Sequence, residues 1–201
     1  MLRAIRSILV LSTLAVFSMP ILTYAQQPQS QKTQNTTNFA APDREFILKA
    51  AEGGHTEVML AEIALNKATN ADVKQFAQRL ADDHSKGNEE LKTLAASKGV
   101  TLPAENAVKS QKLKTGMEKH SGATFDREYI KDMIKAHQKN IAMFEREARN
   151  GRDNEVKAWA TQKLPTLREH LQIAQDVAGK IGVTGINNGK KGTKDTSQKP
   201  Q

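Results

Sequence analysis

Residues 70–99 read NADVKQFAQRLADDHSKGNEELKTLAASKG. Asn70 is a residue type that caps helix N-termini, because its side chain accepts from backbone N–H groups the first turn leaves free. Gly99 stands where a left-handed C′ terminator belongs, and Pro103 keeps the helix from resuming at once. Between these ends Val73, Phe76 with Ala77, Leu80, Leu91 and Leu94 with Ala95 recur at three- and four-residue intervals. That spacing is one apolar stripe of an amphipathic helix. One member of the stripe is not apolar: His84 stands where a leucine would be expected.

The same period runs through most of the chain. Helix one is expected to start at Pro42-Asp43, with Asp43 as N-cap, and its stripe is Phe46, Ala50, Gly53/Gly54, Glu57, Leu60/Ala61 and Ala64. Helix three starts near Thr124 and presents Phe125, Tyr129, Met133, His137, Ile141, Phe144 and Ala148 before Gly151 stops it. Helix four opens at Asp153 or Asn154 and presents Val156, Trp159/Ala160, Leu164, Leu167, His170/Leu171, Ala174, Val177/Ala178 and Ile181. Pro165 lies inside it and should kink it, since proline removes one backbone bond and crowds the preceding turn. Residues 104–122 form a long crossover with a short helix around 107–119, and no convincing β alternation is seen. Four long helices joined by short, long and short connections predict an all-α fold: a ferritin-like four-helix bundle over 42–182, with a long crossover between helices two and three.

The ends have a different character. Arg3 and Arg6 precede an apolar run, Ile8 to Met19, and Thr23-Tyr24-Ala25 offers small residues at a cleavage point. Residues 1–25 therefore read as a secretory signal peptide, cut after Ala25, with a run too short to span a bilayer comfortably. Residues 26–41 read as a disordered polar leader and 183–201 as a disordered basic tail. The expected location is the periplasm or the exterior. With no cysteine in the chain, there is no lipobox to carry a lipid anchor and no disulfide. Removing 25 of the 201 residues leaves 176, with 28 Lys and Arg against 22 Asp and Glu, a net charge of +6. Half of the excess lies after Gly182, so the helical part has no concentrated basic patch and few aromatics, which argues against a nucleic-acid partner. The tail fits either a solubilising role or loose contact with cell wall or another anionic envelope surface. The oligomeric state is left open.

Glu57, His84, His137 and His170 each fall on the apolar stripe of a different helix. At 1.5 Å per residue, each sits about 20 to 25 Å from its own helix start, so an antiparallel bundle would bring all four to one level. Buried polar groups are costly unless paired, hydrogen-bonded or metal-bound. Two readings account for the four residues. One is a metal site, with one carboxylate and three imidazoles holding a single transition-metal ion: zinc, iron, copper or manganese. The other is a metal-free hydrogen-bond network that fixes helix register. Asp83 and Glu169 neighbour two of the histidines and are candidates to accept hydrogen bonds from ligand imidazoles across a helix interface. His55 and His120 are expected to face solvent, Asp126 to favour its own helix dipole, Trp159 to be core, and Gly53-Gly54 to mark close packing or a weak point.

The stretches AAEGGHTEVMLAEIALNKA, VKQFAQRLADDHSKGNEELKTLAASKGVTLP, SGATFDREYIKDMIKAHQKNIAMFEREA and LPTLREHLQIA resemble the bacterial domain-of-unknown-function family 4142, which often carries the label outer membrane protein. The resemblance covers Phe46 to Gly182 and implies a secreted ferritin-like bundle without an assigned activity. Di-iron bundles of ferritin type use Glu-x-x-His motifs, but here Ala81 stands three before His84 and Leu167 three before His170. Too few carboxylates remain to bridge two irons. The expected function is a secreted ferritin-like envelope bundle binding one transition-metal ion. The alternatives are a mononuclear metal enzyme acting on reactive oxygen species and a metal-free structural or interaction protein.

Overall fold

The computed structural model describes residues 39–104 and 108–184. The segments expected to be a signal peptide, most of a leader and the tail beyond residue 184 lie outside the described residues. Among the described residues five helices follow one another: α1 Ala41–Lys67, α2 Ala71–Ser97, α3 Val108–Glu118, α4 Gly122–Asn150 and α5 Asn154–Lys180. No strand occurs among the described residues. The chain is thus an all-α bundle, and α3 occupies the long crossover between α2 and α4. The main pairings are α1 on α2 and α4 on α5; α1 also meets α4, and α2 meets α5. No described helix is long and apolar enough to cross a membrane. Helix α5 runs without a break through Pro165.

Helix starts follow local chemistry. Asn70 accepts from the N–H groups of Asp72 and Val73 at 2.9 and 3.2 Å, and Asp153 accepts from Glu155 and Val156 at 2.9 and 3.1 Å. Helix α1 departs from expectation. Its N-cap is Ala40, with no side-chain cap. Asp43 is fully buried one turn in and accepts from the backbone N–H groups of Arg152 and Asp153, the turn that opens α5. Asp126 does the same at the other end. It accepts from the N–H and hydroxyl of Thr69 and the N–H of Asn70, so it serves the start of α2 rather than its own helix dipole. In both cases the free N–H groups of a partner helix outbid the local role, because a buried carboxylate needs donors.

These matched contacts expose an internal duplication. Asp43 and Asp126 are 83 residues apart, as are the caps Asn70 and Asp153, and as are Glu57 and Asn140. Gly99 and Gly182, at the same separation, take positive φ of 65° and 70°, and each is followed by a valine whose N–H closes on the carbonyl five residues back at 2.9 Å. Both are Schellman-type ends, where glycine avoids the steric cost of left-handed backbone. The sequences agree locally: DREF at 43–46 against DREY at 126–129, and DVKQFA at 72–77 against EVKAWA at 155–160. The bundle is one helical hairpin used twice.

The apolar interior has two parts. One gathers Phe76, Leu80, Phe125, Tyr129 and Ile130; the other gathers Phe46, Ile47, Leu91, Phe144 and Val156. On each long helix, the residue between its contributions to the two clusters is polar: Glu57 on α1, His84 on α2, His137 on α4 and His170 on α5.

Candidate metal centre

All four residues converge at mid-height. His137 and His170 have no solvent exposure, Glu57 has 3%, and His84 is nearly buried. The three imidazole rings form a near-equilateral triangle with centroid separations of 5.7, 5.3 and 5.3 Å. One nitrogen from each lies within 4.8 Å of the others. Glu57 stands at the edge of the triangle. Its Oε2 is 2.9 Å from His84 Nε2, and its Oε1 accepts from Asn140 Nδ2 at 3.0 Å. The Glu57–His84 contact is close but off the line a hydrogen bond needs, which leaves both atoms buried without an aligned partner.

The surroundings fix which nitrogens carry protons. His137 Nδ1 lies 2.9 Å from the carbonyl of Met133 one turn back. A carbonyl only accepts, so Nδ1 holds the proton and Nε2 is left with a lone pair. His170 Nε2 lies 2.8 Å from Asp83 Oδ2, so Nε2 donates to that carboxylate and Nδ1 is left with a lone pair. These two lone-pair nitrogens, His137 Nε2 and His170 Nδ1, face each other at 3.3 Å. Two acceptors that close repel unless a cation lies between them.

Protonation of the pair is disfavoured. Burial pushes the pKa of His170 down to about 4, with His84 and His137 adding to the effect and Asp83 opposing it. Burial lowers His137 as well, against the pull of Glu57. For His84 burial also works against a charge, but the Glu57 carboxylate and Asp83 outweigh it, and its pKa is raised. Glu57, despite burial, is held down at about 2 by His84 and then His137. The metal-free centre therefore favours charge on the Glu57–His84 pair and neutral imidazoles at His137 and His170.

The distance suits an ion. Two nitrogens each about 2.0–2.1 Å from a tetrahedral metal are roughly 3.3 Å apart. A carbonyl and a carboxylate hold the far nitrogens of His137 and His170, the arrangement that orients imidazole ligands and raises their basicity. Asp83 contacts His170 directly and is placed for that role. Glu169 is not: it pairs with Arg79 at the surface.

Several expectations need correction. His55 and His120 are half-buried rather than solvent-facing, and His55 Nδ1 is shut away without a partner. Both lie close to packed elements, which a periodicity argument on one helix does not register. Trp159 is only partly buried; it packs edge-on against Phe46 and at a tilt against Phe144, and its Nε1 has no partner. Gly54 is a close-packing point, since a Cβ there would lie 2.1 Å from Asn88 Oδ1. Asn140 and the Met133 carbonyl escaped sequence reasoning. Asn140 had a signal, being three residues after His137 and so on the same helix face. The carbonyl had none.

Three solved structures share the fold. The fragment of a domain-of-unknown-function 305 protein from Deinococcus radiodurans has a TM-score of 0.61 at 15% identity, covering 70% of this chain and 97% of that one. A protein of the same 305 family from Streptomyces coelicolor gives 0.62 at 11%, covering 73% and 97%. CopM in a silver-bound form obtained by soaking gives 0.57 at 21%, covering 69% and 95%. No curated protein matches the chain in sequence. Residues 28–177 match the family described as domain of unknown function (DUF4142), and the chain belongs to that family.

Proposed function

We propose that this protein binds one transition-metal ion through His84, His137 and His170, with Glu57 beside them as a fourth ligand or a countercharge, in the bacterial envelope. The observation that carries this reading is the facing pair of lone-pair nitrogens at 3.3 Å. A purely structural network would place a donor against an acceptor there; this one places two acceptors, with protonation disfavoured on both sides. Three imidazoles suit zinc, iron and copper, and copper heads the affinity order for such sites. The similarity in fold to CopM, recorded with silver bound, supports testing soft ions as well. The envelope location rests on the signal-like first 25 residues. A bundle that stores or carries an ion accounts for these features without a reaction; the ferritin-like relationship enters on the same footing, as an expectation from topology.

The test is elemental analysis of tag-free protein after equilibration with zinc, iron, copper or manganese and removal of free ion. One ion per chain is expected for at least one metal, with none retained by His137→Ala. Retention in that variant at the parent's level would contradict the assignment.

A further inference from the structure

The duplication assigns a counterpart to every residue of the centre. Shifted by the 83-residue repeat, His84 corresponds to Leu167, His137 to Gly54 and His170 to Gly87. The three counterparts are not scattered. Leu167, Gly54 and Gly87 all line one small chamber, of about 50 Å³, whose wall also includes His84, His170 and Glu57. The chamber is thus the image of the histidine triad under the internal repeat, with imidazoles exchanged for two glycines and a leucine.

The exchange leaves space in a particular place. Gly87, half-buried one turn after His84, lines the chamber, and a Cβ there would meet nothing within 4 Å. At Gly54 the room is taken by the amide of Asn88. Asn88 and Asn140 line the chamber and can donate or accept, while Ala50, Leu91 and Phe144 provide apolar wall. A site needs roughly 10–15 Å³ of such volume to hold one water, so the chamber admits a water or a small polyatomic anion.

We infer that the chamber is a binding site for a small exogenous ligand, of the size of hydroxide or azide, beside an ion held by the triad. The inference rests on the metal reading above. The duplicated fold would then keep one set of imidazoles as ligands and clear the other into room for a coligand.

The probe is azide. Parent protein loaded with copper(II) and checked for one ion per chain is titrated with azide while the charge-transfer absorption and the electron paramagnetic resonance spectrum are followed. A saturable change with one azide per ion is expected. Gly87→Val, which fills the chamber from open space, should keep the ion stoichiometry and weaken azide binding at least tenfold. Gly87→Ala should weaken it less, and it guards against a folding defect in the larger variant. Gly179→Val, on the exposed side of α5, should leave azide binding as in the parent. A loaded parent whose spectra ignore azide, or a Gly87→Val protein that binds azide as the parent does, overturns this inference alone. A parent that retains no ion overturns the metal reading and this inference with it.

Discussion

His137 Nε2 and His170 Nδ1 face each other at 3.3 Å while each imidazole donates its N–H on the far side, to the Met133 carbonyl and the Asp83 carboxylate. The contact is a strain in the metal-free protein, and on the proposed reading it is a preformed pair of ligands. This relationship sets the expected behaviour of substitutions at either residue.

His137→Leu fills the same space and removes one of the two opposed lone pairs. The metal-free variant should be as stable as the parent or slightly more so, because replacing a buried polar group by an apolar one of similar shape is often neutral or favourable. His137→Ala adds a cavity and should cost about 2 to 4 kcal/mol. Urea unfolding in the presence of chelator separates the two; a Leu variant as damaged as the Ala variant would argue that the His137 imidazole is satisfied without an ion.

Acid should weaken the metal-free protein over a defined window. His170 is pushed from 6.5 down to about 4, so the unfolded chain takes up its proton first as pH falls. Its contribution is present in full above 6.5 and is lost as pH drops through about 4, roughly 3 kcal/mol at about 1.4 kcal/mol per unit. His84, with a raised pKa, acts in the opposite sense: its contribution is present below 6.5 and lost as pH rises through the folded value. The difference between parent and His170→Leu isolates the first effect. Unfolding free energies measured from pH 8 to 4 should fall more steeply in the parent, and parallel curves would contradict the assignment.

The two carboxylate clamps should matter alike, since the repeat gives them the same task. Asp126→Ala strands the backbone N–H groups of Thr69 and Asn70, and Asp43→Ala strands those of Arg152 and Asp153. Each should cost about 2 to 3 kcal/mol by chemical denaturation, the scale of buried donors left unpaired. A loss below about 0.5 kcal/mol at either site would show that water replaces the carboxylate there.

The long helices announce themselves in the sequence because period, caps and terminators agree: Asn70, Asp153, Gly99 and Gly151 all mark boundaries the structure keeps. The convergence of Glu57, His84, His137 and His170 was readable from equal distances along four helices. Asp43 was not, because its donors lie more than a hundred residues away and a capping rule sees only neighbours. The duplication was written in DREF against DREY and DVKQFA against EVKAWA, but two short matches at one offset gain meaning only when equivalent hydrogen bonds accompany them. The chamber follows from that offset and from the missing side chain of Gly87, neither of which a stripe of apolar residues reveals.

Gly87 offers a stability test separate from any ligand. It sits mid-helix with open space around its Cβ position, so Gly87→Ala should stabilise by about 1 kcal/mol through helix propensity. Gly54→Ala must displace Asn88 and should destabilise. Thermal or urea denaturation of the two variants should therefore move in opposite directions; a shared sign would show that the two glycines are not in the different surroundings described.

Ion binding by the triad is tested most directly by the melting temperature of the parent and of His137→Ala, each with chelator and with added zinc, iron, copper or manganese. An ion that binds the folded state alone stabilises it by mass action, about 2.7 kcal/mol at a hundredfold excess over Kd. The parent should melt several degrees higher with at least one ion than with chelator, and His137→Ala should melt at one temperature in all conditions. Equal melting temperatures for the parent with chelator and with every ion would contradict the metal centre.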